Sequence, residues 1–436
     1  MKKTLVILIL LSVILTSALS SCSGESQCSY YYEETDDGII LLFYKDDESS
    51  VTVPSDIGGK PVVGIGPDCF LKKNMKSVTI PDGIKSIDSF AFRTCLSLSE
   101  LYVSGSVEYI GVHAFDDTPW YANQKEDEFV VIGDGVLVKY NGESEDVVIP
   151  ETVKSIACAL GGKEGIDVRS VTLPEGIRTI SGNAFTGTSW RRSLTDEFTV
   201  VGDGILIKYS GEGGEVTVPE GIKAVSGAFY DSSKVTSVIL PSTLERIESY
   251  SFACTYGQVF RENGSTRPSR ISKLESVTIP DSVKYIGHSA FYNCSALVSI
   301  SLPNSLLTVS PLTFGFCDSL TSVSVPDSVC SISSLAFGET TALKSLDLGK
   351  GLKFMGDGVF FLGGIEEISF PDGFRYLSGN VFARCTSLRT VTFPSSTETI
   401  IENAFSGCPE SLVIRGKAGS VAQTVAESEG ITFERS

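Results

Sequence analysis

A short phrase of alternating apolar and polar residues, closed by proline, recurs along the chain. In residues 276–280 the apolar positions are Val277 and Ile279, and Thr278 lies between them. Alternation with a period of two predicts a β-strand that turns Val277 and Ile279 toward a core and Thr278 toward solvent. Proline lacks the N–H that would continue a ladder, so Pro280 ends the strand. The pattern therefore predicts many short strands separated by turns.

The phrase returns about every 23 residues, which is the spacing of a structural repeat. The prolines that close it are Pro54, Pro81, Pro150, Pro174, Pro219, Pro241, Pro280, Pro303, Pro326, Pro371 and Pro394, and Ser104 and Gly349 fill the same slot elsewhere. Each phrase is followed by a turn, an apolar pair, and a small residue with phenylalanine. These phenylalanines are Phe70, Phe92, Phe115, Phe185, Phe229, Phe252, Phe291, Phe314, Phe337, Phe360, Phe382 and Phe405.

A unit of this length cannot bury its own apolar face, so it must stack on its neighbours. We therefore predict a mainly β solenoid of parallel strands rather than several globular domains. Roughly fourteen coils spaced about 4.8 Å apart would give an elongated body about 65 Å long. The phenylalanines are expected to stack as a ladder inside it.

Residues 276–287, together with residues 290–297, resemble the BspA-type leucine-rich repeat of bacterial surface proteins. The resemblance implies a leucine-rich-repeat solenoid over residues 36–415 and a C-terminal cap over residues 416–436. It also implies an N-terminal cap, because an exposed solenoid end is an unpaired edge. For function, the resemblance implies adhesion to host or bacterial surfaces.

The first 21 residues have the pattern of an export signal. Lys2 and Lys3 precede an apolar run that is too short for an ordinary membrane span, and small residues lead to Cys22. Residues 19–22 resemble a lipobox, which implies that Cys22 becomes the lipid-bearing first residue. Acyl chains on Cys22 would anchor the protein stably to the cell envelope or cell surface. The alternative to a lipid anchor is ordinary secretion with release of the soluble protein. Residues 22–35 are predicted to form a tether.

Two coils lack the usual phrase and carry matching insertions, near residues 120–146 and 190–215. Each contains an Asp-Gly pair between apolar runs, which predicts a β-hairpin. Trp120 and Trp190 precede the two hairpins. Each tryptophan either offers an aromatic contact surface for a sugar or a partner, or packs beneath its hairpin and fills the coil.

A third insertion, residues 255–273, is a basic loop on an acidic body. It contains Arg261, Arg267 and Arg270, and loops on a rigid scaffold often carry recognition. The loop is therefore a candidate partner contact. The alternative is a solvated insertion that balances local acidity.

The polar position of each repeated strand forms a face rich in hydroxyl groups, which we call the hydroxyl face. Solenoid curvature ordinarily makes such a face the recognition surface, which makes Thr278, Ser301 and Ser324 candidate partner contacts. Threonine and serine also simply suit an exposed strand. The members of the face are Thr79, Thr172, Thr217, Thr278, Ser301, Ser324, Asp347, Ser369 and Thr392.

The cysteines follow the repeat, which argues for a structural role. Cys95, Cys294, Cys317, Cys385 and Cys408 each lie three residues after a repeat phenylalanine. A recurring small buried thiol explains this better than a nucleophile, which would occur once. We favour free thiols, although cysteines one coil apart would also lie near disulfide range.

Composition removes several classes of function. A formal charge of -18, from 35 Lys+Arg and 53 Asp+Glu, argues against nucleic acid as a partner. With two histidines and no hydrolase, phosphate-loop or zinc motif, we expect no enzyme, metal or other cofactor. The protein is expected to be a monomer that binds a protein or glycan on a host or bacterial surface and meets the membrane only through its lipid. The alternatives are an envelope scaffold without an external ligand and a glycan-capturing lipoprotein.

Overall fold

A computed structural model describes residues 28–161, 166–254 and 272–436, together with the backbone of the strands Gln258–Phe260 and Thr266–Pro268. Cys22, Arg261 and Arg270 lie outside the described residues. Arg267 is in the second of the two backbone strands, and its side chain is not described.

Each regular coil contributes two strands, and strands of successive coils pair in parallel. The first ladder carries the hydroxyl face: Ser50–Thr52, Ser77–Ile80, Glu100–Val103, Asp146–Val148, Ser170–Thr172, Gly214–Thr217, Val235–Ile239, Ser276–Thr278, Ser299–Ser301, Ser322–Ser324, Glu367–Ser369 and Thr390–Thr392. The second ladder, which we call the short-strand face, is Ser86–Ile87, Tyr109–Ile110, Ser155–Ile156, Thr179–Ile180, Ala224–Val225, Arg246–Ile247, Tyr285–Ile286, Thr308–Val309, Ser331–Ile332, Phe354–Met355, Tyr376–Leu377 and Thr399–Ile400. The mainly β solenoid is therefore confirmed.

The repeat phenylalanines form the stacked file that the sequence predicts. Phe314 is fully buried, and its ring centroid lies 5.6 Å from that of Phe291 and 5.4 Å from that of Phe337. The stacking continues along the C-terminal half as far as Phe405. Offset aromatic stacking adds to the area that each ring removes from water.

The turns that hold most of the repeat phenylalanines contain left-handed backbone on both sides of the ring. Around Phe382, Asn380 has φ 57° and Arg384 has φ 60°. Left-handed backbone is costly for residues other than glycine, so the packing of each phenylalanine must hold these turns in place. The period of the coil is thus set by a fixed turn as well as by its strands.

Both ends of the solenoid are capped. At the N-terminus, Tyr30–Thr35 and Gly38–Tyr44 form an antiparallel pair, and Lys60–Ile65 pairs with Gly38–Tyr44 and with Asp56–Ile57. This corrects part of the predicted tether over residues 22–35, since residues 30–35 are the first strand and Cys28 is buried. At the C-terminus, Val413–Gly416 and Thr432–Arg435 enclose the helix Val421–Glu429.

Each of the two atypical coils contains a one-turn helix followed by a hairpin. Helix α1 (Pro119–Asn123) precedes the first hairpin, Phe129–Ile132 with Val136–Tyr140. Helix α2 (Ser189–Ser193) precedes the second hairpin, Phe198–Val201 with Ile205–Tyr209. Thr118 and Thr188 cap the helices by accepting an N–H from the third residue that follows. None of the helices in the described ranges is long and apolar enough to cross a membrane.

The solenoid doubles back on itself, so it does not form the single elongated body that the repeat count predicts. Residues 28–118, the N-terminal arm, pack antiparallel against residues 224–436, the C-terminal arm. Four hydrogen bonds trace the contact: Tyr31 to Glu398, Lys72 to Asp357, the Ser334 N–H to Asp68, and Tyr109 to Tyr285. Residues 119–223, which hold both hairpins, form the bend.

Aromatic side chains on the short-strand face hold the arms together. Phe43 of the N-terminal arm lies 4.5 Å from Tyr376 and 5.3 Å from Phe354, between ring centroids. Phe354 and Tyr376 occupy a position at which other coils carry serine or threonine, such as Ser331. Burying these rings between the arms supplies the apolar area that keeps the bend closed.

Both histidines lie at this contact, and the Tyr250 hydroxyl joins them. It lies 3.0 Å from Nε2 of His113 and 3.0 Å from Nε2 of His288. His288 Nδ1 lies 3.0 Å from the Pro311 carbonyl, which only accepts, so this nitrogen carries the proton. Burial lowers the pKa of His288 well below its usual value, and His113 pushes it the same way. His288 is therefore neutral, and its Nε2 accepts from Tyr250.

The phenylalanine file predicts a large cost for a single deletion. Phe314→Ala should lower the free energy of unfolding by about 3–5 kcal/mol, because it removes two stacking contacts and leaves a cavity. Ser324→Ala, on the exposed hydroxyl face of the next coil, should change it by less than about 0.5 kcal/mol. Urea denaturation followed by circular dichroism compares the two variants. Equal effects would contradict the stacked core.

The neutral His288 predicts loss of stability in acid. Its folded pKa lies below its unfolded value of about 6.5, so the unfolded chain binds the extra proton and stability falls as pH drops below about 6.5. Between pH 7.5 and pH 5.5, His288→Gln should reduce this loss by up to about 1.4 kcal/mol. The comparison with the parent protein cancels Asp68, whose burial raises its pKa to about 6 and acts in the opposite direction. Identical pH profiles for the two proteins would contradict the assignment.

Candidate functional site

The hydroxyl face lies on the outside of the doubled solenoid. Thr278, Ser301 and Ser324 form one row with exposed side chains, and Ser301 pairs directly with Ser324 across the ladder. The face that curves inward is the short-strand face, because its residues make the contacts between the arms. The hydroxyl face therefore curves outward. It is a convex surface.

Three large apolar side chains interrupt this polar row. Tyr102 is 62% exposed, Val148 is 65% exposed and Ile239 is 40% exposed. Their register puts them in the row of hydroxyl residues, since Tyr102 pairs with Thr79 and Ile239 with Thr278. The repeat pattern did not single them out. The signal was available, because each occupies the strand position that other coils fill with threonine or serine.

The short-strand face is engaged within the protein. The Arg246 guanidinium lies 4.5 Å from the ring centroid of Tyr109 and 4.1 Å from that of Tyr285, and it donates to the buried Glu248 carboxylate. Tyr285 donates to Asp88, and burial raises the pKa of Asp88. These groups satisfy one another across the arm contact, which is how buried charge is ordinarily stabilised.

Each of the two tryptophans packs against a repeat phenylalanine. Trp120 lies edge-on to Phe115 at 5.2 Å, and Trp190 lies edge-on to Phe185 at 4.7 Å, between ring centroids. The backbone N–H of Trp120 donates to the Leu98 carbonyl, so the helix that carries this residue is tied to the preceding coil. Each ring is partly buried beneath a separate hairpin, and the structure does not place the two tryptophans in one surface with Thr278.

The ten cysteines in the described ranges are free thiols. Those in the recurring slot donate to the carbonyl of an earlier phenylalanine: Cys95 Sγ lies 3.0 Å from the Phe70 oxygen, and Cys385 Sγ lies 2.9 Å from the Phe360 oxygen. Burial raises the pKa of both thiols to about 12, so neither is a reactive thiolate at neutral pH. Their role is to satisfy a carbonyl between coils.

A cleft of about 860 Å³ opens beside the first hairpin. Its floor is apolar and includes Val112, Val138 and Ala157, whereas Asp116 and Asp117 lie on its rim. A cleft of this volume can hold a small molecule or a side chain with its neighbours. It could not be inferred from the repeat pattern, because it lies in an atypical coil where that pattern is interrupted.

Comparison with known proteins gives the family. The family model for the BspA type Leucine rich repeat region matches residues 63–190, 132–256, 269–362 and 360–417. Its repeats thus account for most of the solenoid. None of the curated proteins matches the chain.

Three solved structures of similar bacterial proteins illustrate the likeness. A leucine rich cell surface protein from Faecalibacterium prausnitzii A2-165 is 22% identical, covering 91% of this chain and 95% of that chain, with a TM-score of 0.34. A leucine-rich repeat protein from Bacteroides ovatus ATCC 8483 is 20% identical, covering 89% and 98%, with a TM-score of 0.38. The pneumococcal vaccine antigen PcpA is 15% identical, covering 93% and 98%, with a TM-score of 0.35.

Leucine-rich-repeat solenoids of this kind typically serve as scaffolds for protein interactions. Since the family model covers well over half of the sequence, the chain belongs to the BspA-type leucine-rich repeat family of bacterial surface proteins.

Proposed function

We propose that the protein is a lipid-anchored cell-surface module that binds a protein on a host or bacterial surface through its convex hydroxyl face. It acts as a monomer, and it meets the membrane only through the lipid on Cys22. The observation that carries the proposal is the difference between the two faces. The arms occupy the short-strand face, whereas the hydroxyl face remains exposed along the whole solenoid.

The chemistry of the exposed row favours a protein as the ligand. Serine and threonine supply hydrogen bonds without long flexible side chains, so little conformational entropy is lost on binding. Tyr102, Val148 and Ile239 add exposed apolar area, and burying such area against a partner favours association. Tyrosine is also among the residue types that are enriched in binding hot spots.

Two other functions are compatible with the same fold. A glycan-capturing lipoprotein would use the exposed ring of Tyr102 as a stacking surface, and this ring is the specific observation in its favour. An envelope scaffold would need no ligand. The basic loop over residues 255–273 remains a further candidate contact, and it is tested by deletion.

Binding assays on the full mature protein separate these functions. The protein should bind immobilised host matrix proteins or bacterial surface proteins, and Tyr102→Ser combined with Val148→Ser and Ile239→Ser should weaken binding by about tenfold or more, because the apolar anchors are lost. Val200→Ser, in the second hairpin, is the matched control, because Val200 is 43% exposed but lies off the row. Equal binding by the triple variant and the control would overturn the assignment to the hydroxyl face.

The same preparation distinguishes the remaining alternatives. Binding confined to a glycan array would favour glycan capture, and binding to neither set of ligands would favour the scaffold. Deleting residues 255–273 without effect on binding would remove the basic loop from the account. Mass spectrometry of the mature protein should find acyl chains on Cys22, and an unmodified N-terminus would contradict the anchor.

A further inference from the structure

The two atypical coils are copies of one unit, which allows one to be compared with the other. Residues 110–122 align with residues 180–192, and residues 136–160 align with residues 205–229, without a gap inside either segment. Trp120 thus corresponds to Trp190, and Tyr121 corresponds to Arg191. The hairpins also share the same strand register, with a bulge at the same place.

In the second atypical coil, which we call the second copy, backbone and side chains fill the space that corresponds to the cleft. Gly182 and Gly227 touch backbone to backbone, since a Cβ at Gly227 would lie 2.0 Å from the Gly182 carbonyl oxygen. A Cβ at Gly182 would lie 1.8 Å from the carbonyl oxygen of Ser249. The remaining space is filled by Arg191, whose Nη2 donates to the Gly227 carbonyl over 2.6 Å. An arginine side chain is therefore the natural filling of this unit.

The first copy cannot close in the same way. Val112 stands in place of Gly182 and Cys158 in place of Gly227, so side chains occupy the positions at which the second copy needs bare backbone. Tyr121 replaces the arginine, and its hydroxyl donates to the Val138 carbonyl, 3.3 Å away. The result is the cleft of about 860 Å³, lined by Val112, Tyr121 and Cys158.

The cleft carries more negative charge than the matching part of the second copy, and negative charge attracts a cation. Asp116 and Asp117 stand in place of Thr186 and Gly187. Asp116 lies 2.6 Å from His113 Nδ1, and Asp117 lies 3.9 Å from Arg93 Nε, so both carboxylates are partly engaged and partly exposed. The remaining charged side chain of the lining is Lys139.

Lys139 does not compete for this space. Its Nζ donates to the Tyr121 carbonyl over 2.9 Å, at the end of helix α1. In the second copy, Lys208 donates to the Arg192 and Leu194 carbonyls in the same way. The lysine is thus part of the shared scaffold, and the rim carboxylates remain partly exposed.

We propose that the cleft beside the first hairpin receives an arginine side chain from the protein partner, in the position that Arg191 fills in the second copy. The guanidinium would point toward the corner at Cys158 and be attracted by Asp116 and Asp117, while its methylene stem would lie on the apolar floor. The inference rests on the proposed function, because it assigns one contact of a protein ligand.

The test is a titration of the full mature protein with a capped pentapeptide that carries arginine between glycines, measured by isothermal titration calorimetry. The matched probe carries citrulline, which has nearly the same shape and no charge. The arginine peptide should bind once per chain, and the citrulline peptide should bind about tenfold more weakly or not at all, because a charge-assisted hydrogen bond is lost. Equal affinity for the two peptides, or no binding of either, would overturn the proposal.

Two variants locate the site. Tyr121→Arg recreates the residue of the second copy and should abolish binding by filling the cleft. Asp117→Asn should weaken the arginine peptide about threefold, and asparagine tolerates the left-handed φ of 61° at this exposed position, so the fold is preserved. Asp82→Asn, an exposed carboxylate elsewhere, is the control and should have no effect. Unchanged binding in both cleft variants would refute the site.

The outcome is independent of the convex face. The triple variant at Tyr102, Val148 and Ile239 should lose the partner protein yet titrate the arginine peptide normally. If partner binding fails altogether but the arginine peptide still distinguishes Tyr121→Arg from the parent, the cleft stands and the proposed function falls. If partner binding is strong but the peptide does not bind, only the cleft assignment falls.

Discussion

The stacking of one coil on the next is the constraint on which the structure depends. A coil has no core of its own, so every buried phenylalanine belongs to two neighbours at once, as Phe314 does with Phe291 and Phe337. The recurring thiols follow the same logic, because each donates to a carbonyl of an earlier coil. Since burial and hydrogen bonding both cross the boundary between coils, stability is a property of adjacent pairs rather than of single repeats.

Because the solenoid doubles back, one of its two faces is buried between the arms and the other is exposed. One face becomes an internal contact in which tyrosines, histidines and buried ion pairs satisfy one another, as in the Tyr109–Tyr285–Asp88 chain. The other is left exposed and carries small hydroxyl side chains with a few apolar ones. The division follows from the placement of aromatic residues at the short strands, where they can be buried only by a second layer.

The sequence predicted what is periodic and failed where the structure is not. The strand around Val277, the phenylalanine file and the thiol slot all repeat, so each could be inferred from a single unit. The fold-back could not, because its contacts join residues as distant as Tyr31 and Glu398, and curvature accumulates from small rotations between coils. Aromatic residues at Phe354 and Tyr376, in a strand position that several other coils fill with serine or threonine, were the available signal.

The left-handed turns and the cleft could not be predicted from the sequence, for two different reasons. His113 and Tyr250 adopt positive φ, which the sequence does not predict for either residue. Packing around the neighbouring phenylalanine selects this conformation. The cleft depends on an alignment between two insertions, in which Val112 and Cys158 matter only because glycines stand at the matching positions. Such a difference has physical meaning only once the closed copy has been seen.

The bond between Tyr31 and Glu398 brings the beginning of the described chain beside one of its last coils. A lipid on Cys22, as proposed, would therefore hold both termini close to the bilayer, with the bend as the distal tip. The molecule would then extend about half as far from the membrane as a single straight stack of the same coils. Its two hairpins and the cleft, rather than either terminus, would be the first parts of the protein to meet an approaching surface.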